Sequence, residues 1–321
     1  MTAPWLGGHL DSIKNTSGSV ASDSGTNATT RSARTLSIGN NGVHRSPLLP
    51  TRTSGFAQVV SSNNYNQSGV SRMTLYDAAL TPIIRARHKN PNEMHLQYWS
   101  GSAWIDGPSF ATVDAMNAVQ VWWTGLGTAS GSLRLRMVRL SDAFVMGDTL
   151  VTGLNFSHLS GVAYWEQGAL PTVSYAVEFI VADDAGQPFA FCDFADANGT
   201  DNADGTGSYT DLDDSNFADL VVLPSSGNKR SFKTNAGRDY QSKAIQAVGV
   251  CANLRRGGTG PQSARFYLVI GGVRYYSPDF ALTTAWEPYY YSWEQNPATA
   301  AAWKTAVAEG AALEWGVEAR P

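Results

Sequence analysis

Residues 132–140 read SLRLRMVRL. Leu133, Leu135 and Met137 alternate there with Arg134 and Arg136. Successive side chains of a β-strand point to opposite faces, so this order sends one face into a core and leaves the other wet. The same period spreads outward in both directions. AVQVWWTG at 118–125 precedes it and YAVEFIVADD at 175–184 follows. Trp122 and Trp123 are neighbours in one strand, so one belongs to the core and the other to an outer face or an interface. Upstream, GFAQVVSS at 55–62, SRMTLYDA at 71–78, PIIRARHK at 82–89, MHLQYWSG at 94–101 and AWIDGPSF at 103–110 are short runs bounded by turn residues. RTLSIGNNGV at 34–43 reads as a strand with an Asn-Gly turn. Many short strands without a long helical pattern predict an all-β protein built from β-sandwiches.

Composition agrees. The chain has 321 residues, enough for two domains. Charged residues are 16%, below the roughly 25% of an ordinary soluble domain. Low charge with 31 Gly and 11% aromatics suits an all-β assembly protein. A net charge of -4 and the lack of a basic stripe argue against nucleic acid as a partner. No apolar run is long enough to insert into a membrane as a helix, and no signal peptide is visible at the start. Cys192 and Cys251 form neither a disulfide framework nor a zinc spacing and read as two buried thiols.

Three segments follow from the pattern. Residues 1–35 are rich in Ser, Thr, Gly and Asn, with Trp5, Leu6, Leu10 and Ile13 as nearly all the apolar content. They are expected to be a flexible arm that orders against a neighbouring subunit through those four residues. The alternative is a decorated tail or a first edge strand. Residues 36–187 form the first sandwich, and residues 188–321 form a C-terminal β module. In that module DLVVLPSS at 219–226, KRSFKTN at 229–235 and KAIQAVGVCANLR at 243–255 are expected strands. Ala298 to Ala312 has helical composition, although Trp303 and Trp315 suggest that packing holds it.

Both segments carry motifs of one family. The A-V-G-V run at 247–250, the G-x-T-G-P-Q turn at 257–262, Y-x-S-P-x-x-A-L at 275–282, E-x-N-P-A-T-x-A-A-W at 294–303 and L-E-x-G-V at 313–317 resemble the carboxy-terminal module of structural proteins from tailed phages and phage-like particles. HLQYWSGSAWID at 95–106, VQVWW at 119–123, SLRLRMVRL and YAVEFIVADD resemble the concanavalin-like (laminin-G-like, jelly-roll) sandwich of the same proteins. The resemblance implies a virion or gene-transfer-agent component: a head spike, head fibre, decoration or tail protein. Capsid, hub or tail subunits are then its partners, and the protein itself is a homo-oligomer, a trimer or pentamer before a dimer.

Candidate chemistry is sparse. The five histidines have no metal-binding spacing, and no G-x-S-x-G elbow exists. The acidic loop around Asp196, Asn198, Asp201 and Asp204 lacks EF-hand spacing. It reads as a solvated turn, with a structural calcium as the alternative. Glu166, Glu178, Asp183 and Asp184 are the acids near the first sandwich, but sequence defines no catalytic pair. Tyr98, Trp99, Trp104, Trp122, Trp123 and Trp165, with Tyr290 and Trp293 in the C-terminal module, are the candidate glycan-stacking or interface aromatics. The expected function is virion assembly with host surface glycan binding and no enzymatic activity. The rival readings are a glycan-active depolymerase and a secreted lectin.

Overall fold

The computed structural model describes residues 5–7, 14–17, 20–23, 35–38, 43–62, 69–90, 92–112, 116–139, 142–167, 174–183, 195–212, 220–234, 245–303 and 314–321. Among these residues the protein is all-β, and the only helical element is the 3-10 turn Tyr209–Asp211. No helix among them is long and apolar enough to cross a membrane. The chain divides into two compact units at Cys192–Asp193.

The first unit contains β1 (Trp5–Gly7), β2 (Lys14–Ser17), β3 (Val20–Asp23), β4 (Thr35–Ile38), β5 (Val43–Arg45), β6 (Gly55–Ser62), β7 (Ser71–Tyr76), β8 (Pro82–Asn90), β9 (Glu93–Trp99), β10 (Trp104–Ala111), β11 (Met116–Thr124), β12 (Gly131–Arg139), β13 (Val145–Leu154), β14 (Tyr164–Gln167) and β15 (Ser174–Ala182). They form two antiparallel sheets. One runs β13-β12-β11-β6-β15-β4-β3, with β1 also on β15. The other runs β10-β9-β8-β7-β14-β5-β2. Trp165 of the second sheet meets Phe179 of the first with ring centroids 4.5 Å apart, which fixes the facing sides. Val59, Val121, Trp123, Leu133, Leu135 and Met137 line the first inner face and are essentially unexposed. Met73, Leu75, Ile84, Ala86 and Leu96 answer them from the second. Each such side chain contributes about 1.5–3 kcal/mol relative to exposure.

The alternation in SLRLRMVRL is thus resolved as one inward and one outward set. Outward Arg134 forms two parallel bonds to Asp148, both 2.6 Å. Trp123 is the inward tryptophan of its pair and spreads over β6 at Gly55, where an added Cβ would sit 2.7 Å from its ring. Outward Trp122 packs on Phe56 at 4.8 Å and lies 4.9 Å beneath the Arg134 guanidinium.

Three short strands of the N-terminal segment are described before β4, and they pair within the chain: β1 with β15, β2 with β5 and β3 with β4. Trp5 and Leu6 lie in β1. Leu10 and Ile13 lie outside the described residues.

The second unit contains β16 (Ala195–Asn198), β17 (Lys229–Thr234), β18 (Val248–Leu254), β19 (Ser263–Ile270), β20 (Val273–Tyr276), β21 (Phe280–Ala281), β22 (Glu287–Trp293) and β23 (Glu314–Arg320). A sheet of order β16-β17-β23-β19-β20, with β21 on β19, faces the pair β18-β22. Phe266 and Leu268 from the large sheet, Val250 and Trp293 from the pair, and Trp303 form the core between them. Trp303 is buried in this core, and its Nε1 donates to the Trp293 carbonyl at 2.8 Å. Residues 297–300 form turns on Asn296 instead of a helix, and 304–312 lie outside the described residues. Of the expected strand DLVVLPSS, the described residues 220–226 carry an isolated bridge, Val222 with Thr206, and no strand. Cys251 is half-buried, and Cys192 lies outside the described residues.

His44 sits fully buried between Trp165 and Phe179, at 5.5 and 5.3 Å. Burial pushes its pKa down from 6.5 to about 3. Between those values the unfolded chain binds the proton and the folded chain does not, so stability falls as the pH drops through this window. His44→Phe should flatten that fall, measured as urea midpoints from pH 7 to pH 4. An unchanged pH slope in the variant would contradict this assignment.

Candidate functional site

The outward face of the second sheet carries the site. Cross-strand register places Arg45 opposite Glu166, Glu166 opposite Thr74, Thr74 opposite Arg85, Arg85 opposite Gln97 and Gln97 opposite Asp106. Six consecutive strands, β5, β14, β7, β8, β9 and β10, therefore each supply one polar side chain to a single row. Neighbouring strands lie about 4.8 Å apart, so the row is roughly 24 Å long. The inward partners on these strands include Trp165, Leu75 and Ile84, and burying them forces the row outward.

The row is bonded along its length. Arg45 Nε donates to Glu166 Oε2 at 2.9 Å, and the Tyr76 hydroxyl donates to Glu166 Oε1 at 2.8 Å. Arg85 Nε donates to Gln97 Oε1, and Gln97 Nε2 donates to Asp106 Oδ1, both at 2.6 Å. Aromatic rings flank it. Trp99 stands edge-on to Trp104 at 5.5 Å, and the Arg85 guanidinium lies 4.0 Å from the Trp104 ring centre. Tyr76 and Tyr164 are paired across strands beside Arg45. All four rings are half-exposed. Thr74, Gln97 and Glu166 are buried within the row, and Arg45, Arg85 and Asp106 are its open members. Those three beside the ring faces give the combination that a sugar's C–H face and hydroxyls require.

Electrostatics fix the protonation states. Burial first, then the charge and hydrogen bond of Glu166, raises the Tyr76 pKa and keeps the phenol protonated. Burial, with the adjacent Arg87 charge, pushes Arg85 down to about 10, so it remains a cation at neutral pH. Burial also lowers His95, whose Nδ1 lies 3.4 Å from Asp106 Oδ1.

The sequence-selected aromatics divide. Trp99 and Trp104 join the face, while Tyr98 turns toward the interior against Phe156 at 5.4 Å. Trp122 belongs to the outward face of the other sheet. Trp123, Trp165 and Trp293 are core residues and offer no ring to an external ligand. Tyr290 lies on the outward side of β22, its ring over Gly249, where a Cβ would meet it at 2.7 Å. Sequence reasoning missed Arg45, Thr74, Tyr76, Arg85, Gln97 and Asp106 as a set. The local signal was present in PIIRARHK and MHLQYW, where polar residues alternate as they do in SLRLRMVRL.

The acidic loop is structural. Asp201 accepts from Arg274 Nε and the Tyr267 hydroxyl, each at 2.8 Å, and a second oxygen takes Arg274 Nη2. Asn198 Oδ1 accepts from Tyr209 N at 3.0 Å, and Asp204 Oδ2 accepts from Lys229 N at 3.0 Å. Asp196 is exposed. Asn198, Asp201 and Asp204 are thus each engaged with protein donors, and no three metal-ligating side chains are grouped among the described residues.

No protein-family model and no curated protein match the chain. Among solved structures it is similar to the exoplasmic/lumenal domain of VIP36 bound to Ca2+ and Man3GlcNAc, at 8% identity over 57% of this chain and 92% of that one, TM-score 0.36. It is similar to a legume lectin-like domain from Entamoeba histolytica, at 6% identity over 57% and 91%, TM-score 0.34. It is also similar to the CBM2 module of the evolved Dit of Lactobacillus casei BL23 phage J-1, at 13% identity over 58% and 99%, TM-score 0.35. Similarity at this level carries no functional inference.

The Arg274 hydrogen bond holds the Asp201 carboxyl below its ordinary value. Its contribution to stability is therefore full above about pH 4 and fades as the pH falls further. Asp201→Asn should cost about 1–3 kcal/mol at pH 7. Calcium or a chelator should leave the melting temperature of the unsubstituted protein unchanged. A calcium-dependent rise in that temperature would restore the metal reading.

Proposed function

We propose that this chain is a structural, ligand-binding component of a tailed-phage or gene-transfer-agent-like particle, and that the outward face of the β10–β2 sheet binds host surface glycan. The observation that carries the binding reading is the in-register polar row with half-exposed rings beside it. The phage-module motifs between Ala247 and Val317 support the particle setting. In that setting capsid, hub or tail subunits are the assembly partners, and a homo-oligomer presents several copies of the face. Weak sites then gain avidity from copy number.

Binding without turnover fits the acids on this face. Hydrolysis of a glycosidic bond needs two carboxyls roughly 5–9.5 Å apart. Glu166 and Asp106 stand in the row on β14 and β10, four strand spacings apart. That separation is roughly 19 Å. Both Glu166 oxygens are also engaged, by Arg45 and Tyr76. Glu93, the third carboxylate of the face, stands four residues along β9 from Gln97, the partner of Asp106, and so roughly 13 Å from that row. These separations support binding over the depolymerase reading. A secreted lectin would use the same face but would be absent from particles.

Mass spectrometry of purified particles should find the protein at a fixed copy number. The Trp99→Ala/Trp104→Ala double variant should stay folded and bind host surface polysaccharide roughly tenfold more weakly. Incubation with that polysaccharide should release no reducing ends. Full binding by the double variant, or release of reducing ends that one Asp or Glu substitution abolishes, would overturn the reading.

A further inference from the structure

The charge on this face narrows its ligand. Arg85 and Arg87 lie two residues apart on β8 and point to the same outward side. Neither is bonded to a carboxylate among the described residues. Arg85 spends Nε on the Gln97 amide oxygen and lays its guanidinium against Trp104. Arg87 spends Nε on the Gly69 carbonyl at 2.9 Å. These neutral partners aim the two cations without neutralising them. The other charges of the face are matched: Arg45 by Glu166, and Lys89 by Glu93 at 3.7 Å. Asp106 sits at the β10 end, bonded to Gln97 and beside neutral His95. Four cations (Arg45, Arg85, Arg87, Lys89) thus stand against three carboxylates (Glu93, Asp106, Glu166), a local excess of one positive charge on a chain whose net charge is -4.

A partly desolvated guanidinium bonded only to neutral groups has lost hydration without a paired counter-charge; Asp106, reached through Gln97, attracts Arg85 only from beyond that amide. An arriving anion supplies that counter-charge, and the planar fork matches a carboxylate in two parallel hydrogen bonds. Resting on the glycan-binding reading above, we propose that this face binds a uronic-acid-type glycan, whose carboxylates pair with Arg85 and Arg87 while Trp99 and Trp104 take sugar ring faces. Glu166 does not oppose this, because Arg45 already holds it. Asp106 repels carboxylate at the β10 end and so confines the ligand's charge to β8.

The test uses the full chain and three immobilised polymers: polygalacturonate, neutral dextran and dextran sulfate. Polygalacturonate should retain the protein best, with retention falling as salt is raised. Arg85→Gln should weaken that retention roughly tenfold, and Arg87→Gln should do so independently if the first variant misfolds. Urea midpoints of both variants report folding. Equal retention on neutral dextran would overturn the carboxylate inference and leave glycan binding standing. Retention on dextran sulfate alone would overturn it in favour of a sulfated ligand. No retention on any polymer, together with none on host surface polysaccharide, would overturn both readings.

Discussion

The contact of Trp165 with Phe179 across the two sheets of the first unit is the interaction on which its other features depend. It joins strands from different sheets and buries His44 beside both rings. Once these rings face inward, strand geometry leaves no freedom about what faces out. Glu166 is the next residue after Trp165, so closing the core delivers its carboxylate to the opposite side. The same parity carries Thr74 out beside Leu75, Arg85 out beside Ile84 and Gln97 out beside Leu96. The outward polar row is the complement of the core.

The second unit solves a different problem with the same geometry. Its large sheet packs one side against β18-β22 and covers part of the other with an acidic, Gly-rich loop. Thr200 donates to Glu314 through its backbone N–H at 2.7 Å and its hydroxyl at 2.8 Å, and the Ser231 hydroxyl donates to the same oxygen. Glu314 is almost fully buried, and three donors on one oxygen offset the cost of burying it. Gly199 permits this closure, since a Cβ there would lie 2.4 Å from that carboxylate. The loop's acids act as a clasp on the sheet.

Alternation made the strands of the first unit readable, and it also required Trp122 and Trp123 to part. It could not say which strands become neighbours. Arg45 and Glu166 are 121 residues apart in the chain, yet they face each other because β14 lies between β7 and β5. Asp201 finds Arg274 at a distance of 73 residues, so the loop looked solvated or metal-binding when read alone. Trp165 and Trp293 resembled surface candidates because large aromatics serve cores and interfaces equally well. Only the pairing order separates those uses.

The polar row draws one residue from each of six strands, and its pitch is set by backbone hydrogen bonding. A substitution at Gln97 or Glu166 breaks hydrogen bonds to two neighbours at once, while the backbone keeps the spacing of the other five positions. Thr74, Gln97 and Glu166 are also buried, so those three positions serve folding as well as the surface. Surface chemistry and folding are therefore separable only at the open positions of the row, Arg45, Arg85 and Asp106. The row can be rewritten at those positions one at a time, without disturbing the backbone ladder that sets its pitch.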